Sequence, residues 1–563
     1  MIEDEITLQP EDSSTISAEA QQEATNASVA GATGVIALGN ISSRVLGLLR
    51  EKTLAYFFGA TAQLDAFRIA VLVPQTFYDL LIGGHVNGAI VPVLSEIVTV
   101  EGREELWKVI NILVTMLLFI VTGLVLGLEI FAPQIVALIG DGYDAQTQAL
   151  ATDLLRITSP ALIFLALFAI FSGALYALKS FTYPAFAGVM FNASIVIAIF
   201  LLVPSSELIF RADSSVFAFG IGLPVDAVRA AAIGWFIGAV VQMALQMPGL
   251  HLSKLRISFN WRHPALRNVI ILYTPVMASL LMDTLVIRFF SYRLASQTNI
   301  EGSISYMNQA TTLIQFPQGL VATAISIAIL PTLASQAASI LDDGVRAFRD
   351  TLGLGIRLAT TLIIPATIGL LILAVPIVRL LFEGGAFTSA DTEITVLALR
   401  LYLIGLPFAA IDLLLVYAFY ARKDTLTPAL TGLFSHVVYI ITVLLLFQTF
   451  GLFSLMIADS IKHVVHAVIS AILLRRQIDG FGAQHFGRTT IKTIIASALM
   501  ALVAWSALVW LTTQISTVGF INQTILVIVP GILGAGLFLM LAYLLRIEEL
   551  RWLMGLLRKR LFN

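Results

Sequence analysis

The sequence predicts an all-α polytopic membrane protein: about fourteen transmembrane helices, two six-helix lobes related as a parallel repeat, and two further C-terminal helices. Three observations carry this. The 563 residues are 58% hydrophobic and only 12% charged, with a mean hydropathy of +0.92. Apolar stretches of about 20 residues, the length that crosses a bilayer, recur to the C-terminus. The second half of the chain also echoes the first at a fixed offset. Lipid offers backbone polar groups no partners, so each crossing must satisfy its own, as a helix does.

Taken in order, residues 1–30 hold seven acidic side chains (Glu3, Asp4, Glu5, Glu11, Asp12, Glu19, Glu23) and no Lys or Arg. Such a tail is expected to be disordered, and it lacks the basic start and short apolar core of a secretory signal. Spans are then expected near 33–58, 66–97, 109–128, 152–178, 184–203, 227–247, 268–293, 303–333, 351–382, 393–420, 428–446, 453–474, 493–513 and 523–545. Pro74, Pro317 and Pro365 fall inside spans, which is tolerable where the freed backbone faces protein or water. The expected divisions are the tail (1–30), a first lobe (31–250), a second lobe (251–476), two extra helices (477–547) and a basic cytoplasmic C-terminus (548–563). The extra pair carries no charged side chain between Thr493 and Leu545, so it is expected to build an apolar groove open to lipid.

Lys and Arg set orientation. With the N-terminus inside, the inside loops carry twenty; the outside loops carry Arg211 alone, or six with Arg68, Arg156, Arg229, Arg293 and Arg379 at outer span ends. Both termini are therefore expected in the cytoplasm.

A shift of 244 residues overlays Arg156–Pro184 on Arg400–Pro428, pairing Tyr176 with Tyr420, Lys179 with Lys423 and Gly188 with Gly432. A weaker echo joins Pro74-Gln75 to Pro317-Gln318. Six spans per unit is an even number, so the copies share one orientation and their pseudo-twofold axis runs along the membrane normal. Two such lobes around a central site are the layout of an alternating-access transporter.

Charges within the spans are costly and mark candidate sites. Arg44 and Arg50 in the first span suggest an anion site, because guanidinium matches phosphate with paired hydrogen bonds. Alternatively, both snorkel to lipid headgroups. Six residues put them about 120° apart, so one ligand could meet both only around a bend. Asp65 could be a helix cap or a ligand contact. His85, in the Gly83-Gly84-His85 break, could line a cavity or be a satisfied interior histidine. Arg288 could pair with Asp283 or bind separately. Asp79 and Asp412 also lie within spans, Asp459 and Lys462 read as an intrahelical ion pair, and His463 and His466 could extend that polar seam.

No nucleotide-binding loop or catalytic constellation appears, so no enzyme activity, metal or cofactor is expected. There are no cysteines, which removes disulfides and thiolate chemistry, and the net charge of −2 implies no nucleic-acid partner.

The stretches Ser43-Arg-Val-Leu-Gly47, Phe58-Gly-Ala60, Asp65-Ala-Phe67, Ile90-Val-Pro-Val93, Phe382-Glu-Gly-Gly-Ala-Phe-Thr388 and Ala418-Phe-Tyr-Ala-Arg-Lys-Asp-Thr425 resemble the lipid II flippase (MviN) family. That family lies within the multidrug/oligosaccharidyl-lipid/polysaccharide exporter superfamily. The resemblance implies a cationic cavity between the lobes and a polyprenyl-tail groove at the last two helices. It implies a lipid-linked glycan as substrate, peptidoglycan precursor by default, moved to the outer leaflet of the bacterial inner membrane. Membrane lipids, and a monovalent ion or the membrane potential for coupling, are the implied partners of a monomer. Arg44, Arg50 and Asp65 match functionally important positions of the family. Two places depart from it: Tyr78 and Asp79 stand where a basic pair is usual, and Thr312 where an arginine is usual. Another polyprenyl-linked glycan, a cation-coupled exporter or a non-transporting assembly scaffold are the alternatives those departures keep open.

Overall fold

The computed structural model describes residues 11–82, 86–202, 226–250, 255–260, 282–338, 342–478, 480 and 486–550. The first half comprises α1 (Glu11–Phe58), α2 (Ala62–Ile82), α3 (Val86–Val100), α4 (Arg103–Ile139), α5 (Ala145–Thr158), α6 (Ala161–Ala177), α7 (Thr182–Leu202) and α8 (Ala227–Ala244). The second comprises α9 (Arg288–Ser296), α10 (Ser303–Pro317), α11 (Ala324–Ala337), α12 (Asp342–Phe382), α13 (Ser389–Ala421), α14 (Leu426–Phe450) and α15 (Phe453–Gln477). The last pair is α16 (Phe486–Gln514) and α17 (Phe520–Leu544).

Ten helical segments are long and apolar enough to cross a membrane, or eleven when α5 and α6, bent by 40°, count as one. The expected number of about fourteen is not reached by that measure among the described residues. The expected spans outside the count are the first, which carries Arg44, Arg50, Glu51 and Lys52; the second, divided into α2 and α3; and the seventh, which falls partly in 261–281, outside the described residues. α1 also begins at Glu11, within the stretch expected to be a disordered tail. The run Ala18-Glu-Ala-Gln-Gln-Glu-Ala24 consists of strong helix formers, and local propensity supports a helix there without an apolar face.

The repeat is visible in the backbone. α5 starts at Ala145 and α13 at Ser389; α6 ends at Ala177 and α13 at Ala421; α7 starts at Thr182 and α14 at Leu426, each pair 244 apart. Asp144 caps α5 and Thr388 caps α13. Hydrogen bonding to Thr147 holds the Asp144 carboxyl below the usual carboxylate range. Lys179 (φ 59°) and Lys423 (φ 60°) both adopt the left-handed conformation that normally favours glycine. Each sits in the same turn: Ser180 N–H donates to the Leu175 carbonyl, and Asp424 N–H to that of Phe419. This helix-ending motif satisfies the last carbonyls of α6 and α13.

The lobes meet tightly at one end of the bundle. Ala386 N–H donates to the Tyr56 carbonyl at 2.8 Å. A Cβ on Gly302 would lie 2.2 Å from the Ala60 carbonyl oxygen, and one on Gly142 would lie 2.1 Å from that of Ser296. Only glycine permits these approaches. Beneath them Phe58, Phe67, Ile139, Ile304, Phe382 and Phe387 share one buried apolar core. From this closed end, α5–α6 leads to Lys179 and α13 to Lys423, so both lysines stand at the other end. The hairpin α16–α17 packs on α12, with Ala496, Met500, Phe538 and Ala542 against Leu362 and Ile368. Arg357 and Glu549 pair beside it.

Candidate functional site

A cavity of about 520 Å³ lies between the lobes. α1 contributes Arg50, α2 Arg68 and Gln75, α9 Arg288, α10 Asn308 and Gln315, and α15 Asp459 and Lys462. Tyr292, Tyr402 and Tyr439 add polar tips on apolar rings.

Each cation lining it has a carboxylate from the chain. Glu51 is 2% exposed and accepts from both Arg50, at 2.7 Å, and Arg68. Arg50 also donates to Asn192 Oδ1 on α7 at 3.0 Å. Asn192 is held in turn by the carbonyls of Ser43 and Gly188. Arg288 pairs with Asp79 across the lobes at 2.7 Å, and Gln75 donates to the other Asp79 oxygen at 2.8 Å. Lys462 pairs with Asp459 at 2.6 Å. Four cations facing three carboxylates leave one excess positive charge, so an entering anion must exchange with groups already bound to these cations.

Two π-helical turns flank the arginines. Met282–Ile287 runs directly into Arg288, and Gln318–Thr323 follows α10. Such turns shift the register of one helix face and collect at functional sites. Arg44 lies against the second: its Nη1 donates to the Gln315 carbonyl at 3.1 Å. A Cβ on Gly319 would lie 2.2 Å from Arg44 Nη2, so the guanidinium occupies the space that glycine leaves. Gly319→Ala is therefore expected to dislodge Arg44 and copy Arg44→Ala, costing about 1.5 kcal/mol, the low end for a charged donor because the contact is exposed. Thermal midpoints of the two variants and the double variant check this; additive losses would show that the two residues act separately.

The five residues singled out from sequence fall in different places. Arg50 and Arg288 line the cavity. Arg44 joins the lobes at the cavity's edge, on a different helix face from Arg50, as their spacing requires. Asp65 is fully buried at the closed end, where it accepts from Ser305 N–H (2.8 Å), Ser305 Oγ (2.6 Å), Ile304 N–H (3.3 Å) and the Tyr143 hydroxyl. It thus caps α10 of the opposite lobe, where the helix dipole favours a negative charge. Asp141, which accepts from Gln297 and Arg293, and Asp391, which accepts from Tyr306, bridge the same end. His85 lies outside the described residues, as does the Asp283 side chain; the partner found for Arg288 is Asp79.

Sequence reasoning does not single out Glu51, and it names Arg68 as a charge of the second span without a role. Arg68 stands near the start of α2, as a span-end residue does, but is 6% exposed and turned into the protein. The available signal was the stripe Arg68, Gln75, Asp79 at helical spacing on α2.

Comparison with known proteins accords with this architecture. A family model described as lipid II flippase MurJ matches residues 54–527. The chain is 30% identical over 538 residues to the probable lipid II flippase MurJ of Vibrio cholerae, covering 92% of this chain and 96% of that one. It is 31% identical over 494 residues to the probable lipid II flippase MurJ of Haemophilus influenzae, covering 83% and 89%. Among solved structures, a lipid II flippase MurJ in an inward closed conformation aligns with a TM-score of 0.72 at 24% identity, covering 94% of this chain and 99% of that one. An inward-facing multidrug resistance MATE family transporter aligns with a TM-score of 0.61 at 15% identity, covering 78% and 95%. Both structural likenesses concern the fold.

Proposed function

The chain belongs to the lipid II flippase family, and from that premise we propose that it carries lipid-linked peptidoglycan precursor from the cytoplasmic to the outer leaflet by alternating access. The observation that carries this reading is the cavity between two repeated lobes, sealed at one end and lined by Arg50, Arg68, Arg288 and Lys462. It transports rather than catalyses. The excess of Lys and Arg toward the Lys179/Lys423 end supports a cytoplasmic face there, with both termini inside and the closed end outward. The pyrophosphate of the substrate would replace Glu51 at Arg50 and Asp79 at Arg288. The exposed apolar faces of α16 and α17 suit the polyprenyl tail.

The superfamily likeness supports the fold of an exporter, but the family match favours a lipid-linked glycan over a small-molecule cargo. The deciding experiment is translocation of defined lipid-linked precursors in vesicles reconstituted with the purified protein. Flipping of lipid II is expected; movement of another polyprenyl-linked glycan alone would reassign the substrate, and no movement would leave a scaffold.

Alternating access requires the closed end to open. Asp141 and Gln297 hydrogen-bond across the lobes at 3.0 Å. The chain has no cysteine, so paired substitutions report without background. Asp141→Cys with Gln297→Cys is expected to form a disulfide under mild oxidant and to stop flipping until reduced. Undiminished flipping with the disulfide formed would overturn the mechanism.

A further inference from the structure

Beyond the cavity, α15 carries a column of ionisable groups toward the Lys179/Lys423 end. Asp459 lines the cavity. His463 Nε2 lies 3.6 Å from Asp459 Oδ2, and His466 follows one turn on. His466 Nδ1 stands 2.5 Å from Asp412 Oδ2 of α13. Asp412 is 8% exposed, and its Oδ1 is buried with no hydrogen-bond partner among the described residues. An ionisable pair inside a membrane bundle is costly, and residues retained there usually serve a function.

The hydrogen-bond directions count the protons. The Thr431 hydroxyl donates to the Thr427 carbonyl at 2.9 Å. With its hydrogen on that carbonyl, its lone pairs face His466 Nε2, 3.1 Å away, and the matching tautomer carries its hydrogen on Nε2. A neutral imidazole protonated on Nε2 presents a bare lone pair at Nδ1. Two bare acceptors do not sit 2.5 Å apart, so a proton lies between Nδ1 and Oδ2, and in the Nε2–H tautomer it is one more than a neutral imidazole and a carboxylate carry.

We propose that His466 and Asp412 form a proton-binding site that couples entry of one proton to export of one substrate, an inference that rests on the transport reading above. The described geometry is the loaded state. Protons arrive from the cavity by way of Asp459 and His463 when the closed end opens. They leave toward the Lys423 end, returning the pair to neutral imidazole and carboxylate. Only N–H and O–H bonds form or break. The charges that act on His463 are Lys462, Asp459, Asp412 and His466. α14 adds His436 and Tyr439, the latter under Lys462; α13 adds Tyr402 at the cavity; Arg357 of α12 is already paired with Glu549.

The test is the end point of transport, which a merely slowed protein still reaches. The full-length protein is placed in oriented vesicles with labelled lipid II, and the outer side is held one pH unit more acidic than the inner. At one proton per substrate, the outer-to-inner ratio at steady state should shift about tenfold. Asp412→Asn and His466→Gln should flip substrate but end at the ratio seen without a gradient. A parental ratio indifferent to the gradient overturns the proton site while leaving transport intact, and so does a full shift retained by either variant. Absence of parental flipping at equal pH rejects the transport reading itself, and this inference with it.

Discussion

Arg50→Ala is expected to weaken substrate binding about 10- to 150-fold, the equivalent of one charge-assisted hydrogen bond of roughly 1.5–3 kcal/mol. The reason is its position: it lines the cavity with its side chain 26% exposed, whereas Arg68 is buried against the same carboxylate. Arg50 is thus the member of that cluster free to turn toward a ligand. Arg50→Lys should recover only part of the loss, since it keeps the charge without the planar fork. Binding of lipid II to the purified protein, measured at several salt concentrations, checks this. Parental affinity in Arg50→Ala would move the anion site to Arg288 and Lys462. Arg44→Ala should cost less in binding, because its guanidinium is spent on the Gln315 carbonyl.

Glu51→Gln should have the largest effect on stability. Glu51 is 2% exposed and neutralises two arginines, one of them 6% exposed. Removing one partner of a buried pair leaves an uncompensated charge, at a cost of about 3–5 kcal/mol. The variant should therefore unfold in detergent at a markedly lower denaturant concentration. Glu51→Gln combined with Arg68→Met should recover most of the loss, because replacing both partners with groups of similar volume removes the stranded charge. If the double variant were no better than the single, the loss would come from packing around Glu51 and not from charge.

The sequence alone determined the class, the repeat and the turns that close it. These depend on neighbours along the chain: apolar length sets a span, and Lys179 and Lys423 recur because each ends a helix in the same six-residue turn. It also placed Arg44 and Arg50 on separate helix faces, since spacing fixes angles within one helix. What no spacing rule could supply was which face meets which partner. Asp79 finds Arg288 209 residues away, Arg44 finds Gln315 271 away, and Asp65 caps a helix 240 away in the other lobe. The docking of the lobes decides those pairs, because each buried charge must end beside an opposite charge or a helix terminus wherever the fold brings one. Packing of helices within each lobe set Arg68 beside the buried Glu51 and joined Asp412 to His466, two residues whose sequence neighbourhoods hold no sign of each other.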